Sequence, residues 1–200
     1  MMIVDIETTG LNPVKNSIIE IAAIKFDKPD VYFHSLCRID KEDEIDPKAL
    51  EINGQSLKEI RDVNRPSQKQ ALIDFFKWIN KQQDFFIGGQ NVGEFDWNFL
   101  RAKAEKYGLD FPLHKRTLDL HAVTFFKYLK VHNKFFVDKG ISSMGLPAIL
   151  QFLGLRDERG KHNALEDTKL EAECFSRLLN GKNLLEEFKQ FSIPHYLKND

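Results

Sequence analysis

Apolar positions change their period several times along this chain. "MMIVDIETTG" and "SIIEIAAIKFD" are near-continuous apolar runs separated by "LNPVKN", and "VYFHSLCRI" alternates apolar with polar. Together they predict three strands joined by short connections, an antiparallel meander. In "PSQKQALIDFFKWINKQ" the apolar residues fall at 72, 75, 76 and 79, a helical period, with Ser67 as N-cap. "DFFIGGQN" predicts a short buried strand, and "EFDWNFLRAKAEKYGL" a helix stopped at Gly108. "RTLDLHAVTFFKYLK" reads as a strand end running into a helix. "GLPAILQFLGL" and "NALEDTKLEAECFSRLLNG" predict two more helices, the second stopped at Gly181. The segment "DKEDEIDPKALE" reads as an acidic loop. Hairpin strands followed by alternating strands and helices predict one α/β domain over residues 1–200. Its sheet is mixed, antiparallel in the first three strands and then parallel, and flanked by helices.

Composition narrows the class. With 200 residues, 42% hydrophobic, 30% charged and 17 Phe, the chain can stock one core, which argues against disorder. A net charge of -1 and a pI near 6.6 exclude a uniformly basic nucleic-acid binder. The charge is uneven, however: from Arg101 to Lys139 there are nine Lys or Arg against four Asp or Glu. The two cysteines, Cys37 and Cys174, have no spacing that suggests a metal clip or disulfide framework. The start of the chain has no cationic region before an apolar run, so no signal peptide is expected. No stretch reaches the ~18 apolar residues of a membrane span. A cytoplasmic protein is the expectation, with no membrane partner.

Period two along the first strand puts Asp5 and Glu7 on one face and Ile6 on the other. Two neighbouring anions repel, and burying either is costly. A divalent cation with a preference for oxygen, Mg²⁺ or Mn²⁺, relieves both problems. Gly10 lets the following backbone approach a ligand. Read alone, the pair is also a strand edge with solvated acids leading into a turn. Asp96, in "GGQNVGEFDWNFL", sits after a strand at a helix's first turn, facing a site at the sheet's end or serving the helix dipole. His162 and Asp167 open the last long helix; read alone they are a loop histidine and a surface carboxylate. Glu166 and Glu171 read as solvated charges on that helix.

In chain order these segments are acid-x-acid-Thr-Thr-Gly, Asn-x4-Asp and His-x4-Asp. That order resembles the DnaQ-like (DEDDh) 3′–5′ exonucleases of the ribonuclease H-like fold, a family that includes the epsilon proofreading subunit of DNA polymerase III and exonuclease X. "DIETTGL", "QNVGEFDWNFL" and "HNALEDTKL" are similar to its three motifs, and the likeness runs from about residue 2 to about residue 180, leaving a short C-terminal extension. Many members carry Ala-His-Asn where this chain has "GGQN", so Gln90 replaces a histidine and substrate contacts there differ.

The resemblance implies a metal-dependent exonuclease that releases nucleoside 5′-monophosphates from 3′ ends. It implies that Asp5, Glu7, Asp96 and Asp167 hold two Mg²⁺ or Mn²⁺ ions and that His162 is the general base. By the same resemblance Thr8, Thr9, Gly10 and Leu11 lie against the terminal nucleotide, with Asn91 and Phe95 as further pocket residues. The expected partner is nucleic acid with a free 3′ end, DNA favoured over RNA, with a DNA polymerase acting in trans in proofreading or repair. Both monomers and homodimers occur in the family.

Rival readings are an RNA-trimming exoribonuclease, a phosphatase for small nucleotides and a non-catalytic nucleic-acid-binding module. All five motif residues are present, which counts against the last. "FFKYLKVHNKFFVDK" interleaves aromatic and basic residues and is either a helix with a solvated basic face or, around "VHNKFFVDKG", a loop that touches the strand.

Overall fold

The computed structural model describes residues 1–158 and 160–198. Strands β1 (Met2–Thr8), β2 (Ile18–Lys25) and β3 (Lys28–Leu36) form the predicted meander. Two short strands, β4 (Ile87–Gly89) and β5 (Leu118–Asp119), extend it in parallel to β1, giving the order β3-β2-β1-β4-β5. The mixed sheet is therefore the one that the residue pattern predicts.

Alternation along β1 divides the core. Met2, Val4 and Ile6 point towards α2 (Gln68–Gln82) and α3 (Asp96–Tyr107), where they join Leu72, Phe75, Ile79 and Phe99. Ile3 points the other way, into a second cluster with residues of α4 (Leu120–His132), α5 (Leu146–Phe152) and α6 (Ala164–Asn180). Asp5 and Glu7 share the parity of Ile3 and so belong to the α6 face of the sheet. The helix punctuation follows the sequence. Ser67 Oγ accepts from the Gln70 N–H at 3.2 Å, while Gly108 and Gly181 close α3 and α6 in the left-handed conformation. Among the described residues, no helix is long and apolar enough to cross a membrane.

Three local expectations need correction. β3 begins three residues before the alternating run, because the chain after Lys25 turns back at once and Lys28 pairs with it; Pro29 is tolerated on an edge strand. The acidic loop contains a helix, α1 (Pro47–Asn53), with Asp46 as N-cap, Pro47 in its first turn and Gly54 as a left-handed stop. Seven residues are too few to show a helical period. The loop expected around "VHNKFFVDKG" leads into a hairpin, β6 (Val137–Asp138) and β7 (Ile141–Ser142). Its turn residues Lys139 and Gly140 both have positive φ, the geometry that matches strand twist.

The acidic segment also absorbs part of the basic excess. Lys103, fully buried, reaches Asp43 Oδ2 at 2.9 Å, and Lys106 Nζ lies 2.8 Å from Asp43 Oδ1 and 2.7 Å from Asp40 Oδ2. Burial alone would raise the Asp43 carboxyl; hydrogen bonds from Lys106, Lys103 and Ser17 outweigh it and hold it below its ordinary value. Asp43→Asn strands the Lys103 charge and is expected to cost about 3–5 kcal/mol at neutral pH. The sign of the pH dependence follows from the lowered carboxyl. Its contribution is present above the unfolded value near ~3.9 and lost as pH falls through the folded one. Urea melts at neutral and at acid pH check this, since the gap between wild type and variant must narrow in acid.

Candidate active site

The site forms where the carboxyl-terminal half of β1 faces α6. β1 supplies Asp5 and Glu7. Asp96 comes from the first turn of α3, buried, with its Oδ1 accepting the Ile6 N–H at 3.0 Å. Asp167 comes from the first turn of α6, which Asn163 caps by accepting the Glu166 N–H at 3.1 Å. His162 lies just before that cap, about half exposed, with Nδ1 3.6 Å from Asp167 Oδ2. Ligand-capable atoms of Glu7, His162 and Asp167 lie within 4.8 Å of one another. Asp5, Gln90, Asn91, Leu146, His162, Asp167 and Glu171 line a pocket of about 520 Å³.

The electrostatics are those of concentrated negative charge. Burial is the first cause that drives the Asp5 carboxyl well above its ordinary range, and repulsion from Asp96, Glu171, Glu7 and Asp167 adds to it. Burial pushes Asp96 up to about 8, against its backbone N–H donors and with repulsion from Asp119. The donor set is almost entirely carboxylate oxygen, and the buried Oε1 of Gln90 has no hydrogen-bond partner. These residues fit a hard divalent cation, whose charge would relieve the repulsion.

The residues expected against a terminal nucleotide divide into two groups. Leu11 is 82% exposed, and Asn91, left-handed at φ 55°, lines the pocket. The others are engaged by the fold. Thr8 Oγ1 donates to the Gly10 carbonyl at 2.7 Å. Thr9 is fully buried, donating to the Glu44 carbonyl at 2.8 Å and accepting from the Ser17 N–H at 2.9 Å. Gly10 makes room for the Asn16 side chain, since a Cβ there would lie 2.6 Å from Asn16 Oδ1. The Phe95 ring packs on Phe99 at 4.9 Å between centroids.

Two features of the site escaped the sequence reading. Glu171 is 2% exposed and lines the pocket, not a solvated helix face as expected; its spacing of four from Asp167 was the available signal. Glu166, by contrast, is exposed and pairs with Lys169. The second feature is α1. Asn53 Nδ2 donates to the Thr8 carbonyl at 3.2 Å, and the His162 N–H donates to the Ile52 carbonyl at 3.2 Å. That short helix clamps the turn after β1 to the loop that carries His162.

A family model for exonucleases of the ribonuclease T type matches residues 2–175. The chain belongs to this exonuclease family. It is similar to the 3′-5′ DNA exonuclease Cap18 of Escherichia coli, with 27% identity over 86% of this chain and 87% of the relative. It is 30% identical to PolC-type DNA polymerase III of Thermotoga maritima over 89% of this chain, but spans only 12% of that polymerase. Ribonuclease T of Haemophilus influenzae is 27% identical, over 96% of this chain and 84% of the relative.

Two solved structures share the fold. The nuclease domain of 3'hExo, a DEDDh family member bound to rAMP, superposes with a TM-score of 0.67 at 16% identity, covering 97% of this chain and 95% of that one. E. coli exonuclease I in complex with a 5cy-dA13 oligonucleotide gives 0.66 at 18% identity, covering 98% of this chain and 41% of that one. The ribonuclease H-like architecture expected from the motifs is thus present, and the exonuclease is a hydrolase of the 3′–5′ exonuclease family.

Proposed function

We propose that this exonuclease removes nucleotides one at a time from the 3′ end of single-stranded DNA, with Asp5, Glu7, Asp96 and Asp167 holding two divalent ions. One observation carries the reading: carboxylates from β1 and α6 line one pocket, Asp96 of α3 lies close enough to repel Asp5, and a histidine sits 3.6 Å from Asp167. Two ions held by these carboxylates would supply Lewis-acid chemistry at the phosphate. His162 takes the proton of the attacking water, and the nearby Asp167 carboxylate stabilises the imidazolium that results. Water adds to the terminal phosphorus and the bond to the preceding 3′ oxygen breaks. A nucleoside 5′-monophosphate leaves, and the departing oxygen gains a proton to become the new 3′-hydroxyl. Asn91 and the exposed Leu11 are the side chains offered to the terminal nucleotide.

The strand upstream of that nucleotide runs over the β6–β7 hairpin. Phe135 and Ile141 are 65% and 73% exposed there, Lys134 and Lys139 flank them, and residues 145–147, just after the hairpin, line the pocket. An exposed aromatic and an exposed aliphatic beside lysines suit base contact and a phosphate backbone. DNA is favoured because Cap18 and PolC are DNA enzymes by name; the ribonuclease T match at equal identity supports RNA as the second reading. The PolC similarity supports work in a polymerase context, in proofreading or repair.

The test is a time course on 3′- and 5′-labelled single-stranded DNA and RNA of one sequence, with Mg²⁺, Mn²⁺ or EDTA. Metal-dependent laddering from the 3′ end, faster on DNA, is expected. Faster laddering of RNA moves the substrate to the second reading. No degradation of either polymer by folded protein overturns the proposal.

A further inference from the structure

α6 brings to the pocket an acid outside the four expected from the motifs. Glu171 follows Asp167 by one helical turn, so both carboxylates project from the same face of α6 towards β1. Glu171 is 2% exposed, and with Asp5, Gln90 and Asp167 it lines the pocket. A small residue on the neighbouring strand makes its placement possible. At Gly89, the last residue of β4, a Cβ would sit 3.1 Å from Glu171 Oε2 and 2.8 Å from the Val4 carbonyl. Any larger residue at 89 would meet the Glu171 carboxylate at the β1–β4 seam, one residue from Asp5. Its charge is felt there: after burial and Asp96, Glu171 is the next cause that raises the Asp5 carboxyl. The buried Gln90 Oε1 adds an oxygen acceptor in the same pocket.

A fifth carboxylate at this point adds repulsion to a site already crowded with anions. A divalent ion held among these acids offsets that repulsion. We propose that Glu171 is a fifth acidic residue of the ion site, a positioning residue whose charge strengthens divalent-ion binding beyond the level set by Asp5, Glu7, Asp96 and Asp167. The inference rests on the reading of this pocket as an ion site. Loss of a supporting group around a metal typically lowers affinity by 10- to 100-fold, and that is the effect expected here.

Mn²⁺ binding to the full chain, followed by electron paramagnetic resonance and calorimetry at one pH, tests it without reference to turnover. Wild type, Glu171→Gln and Glu171→Asp are compared, each also melted in EDTA. The expected result is Mn²⁺ affinity lowered about 10- to 100-fold in the Gln variant. Its melting temperature in EDTA should be no lower than wild type, and the Asp variant should recover part of the affinity. Wild-type affinity in the Gln variant overturns the inference and leaves the ion site intact. A Gln variant that melts early in EDTA, beside an Asp variant that binds Mn²⁺ no better, assigns Glu171 to packing and also overturns it. Wild type that binds no Mn²⁺ sinks the ion site itself, and the inference with it.

Discussion

Asp5→Asn is expected to lower exonuclease activity by roughly 10³-fold or more and, in the same protein, to raise the melting temperature measured in EDTA. The loss follows from the position of Asp5 at the centre of the acidic cluster, within the field of Asp96, Glu171, Glu7 and Asp167. Lewis-acid stabilisation by held ions is worth several kcal/mol, and each ~1.4 kcal/mol is tenfold in rate. The gain follows from the same repulsion. Asp5 is held well above its ordinary range in the folded protein. As pH rises past the unfolded value near ~3.9, the unfolded chain therefore releases this proton more readily, and ionisation favours unfolding. A neutral amide of equal size escapes that penalty. Activity with Mg²⁺ and melting in EDTA are measured on the same preparations. An Asn variant that melts below wild type in EDTA would show that the carboxylate supports the fold, contrary to the electrostatics of the site.

Arg177→Met is expected to remove about 3–5 kcal/mol of stability, out of a total that for most domains is only ~5–15 kcal/mol. Arg177 is fully buried on α6, and its guanidinium is used on every side. Nε donates to Glu173 Oε1 at 2.9 Å and Nη1 to the Leu153 carbonyl at 2.9 Å. Nη2 reaches Asn183 Oδ1 at 2.9 Å and the carbonyls of Phe188 and Phe191 at 3.1 and 2.9 Å. Glu173, also buried, accepts the Leu184 N–H at 2.7 Å and the Leu185 N–H at 3.1 Å. The pair ties α6 to the end of α5 and to the segment that follows α6. Met fills much of the volume but leaves a buried carboxylate and three carbonyls without their cation, and that desolvation cost dominates. Urea denaturation reads the loss directly, and for a chain of this size the melting temperature should fall by about 6–20 °C. A loss below ~1 kcal/mol would mean that water or neighbouring donors replace the guanidinium. Because α6 also carries Asp167 and Glu171, a weakened brace should lower activity as well.

Strand and helix types were legible because they depend on residues close in sequence. Period two across Met2–Thr8 placed Asp5 and Glu7 on one face, and the 72, 75, 76, 79 spacing with Ser67 before it specified a capped, half-buried helix. Left-handed glycines at 108 and 181 marked two helix ends for the same local reason. The resemblance of three motifs, in their chain order, to the DEDDh exonucleases was what brought Asp5, Glu7, Asp96, His162 and Asp167 under suspicion together. Other features depended on partners far along the chain. Glu171 looks like an ordinary charge on an amphipathic helix until Gly89 opens the seam that admits its carboxylate. That the Thr9 hydroxyl is held by Ser17 and Glu44, and that Gly10 packs against Asn16, follows from residues the local pattern does not connect. Lys103 is one of the nine basic residues counted between Arg101 and Lys139, and only the fold brings Asp43 to it in the interior. Periodicity reports how one segment divides between core and solvent. Which buried acid faces a pocket and which cation is already neutralised follow from packing between segments that the fold alone brings together.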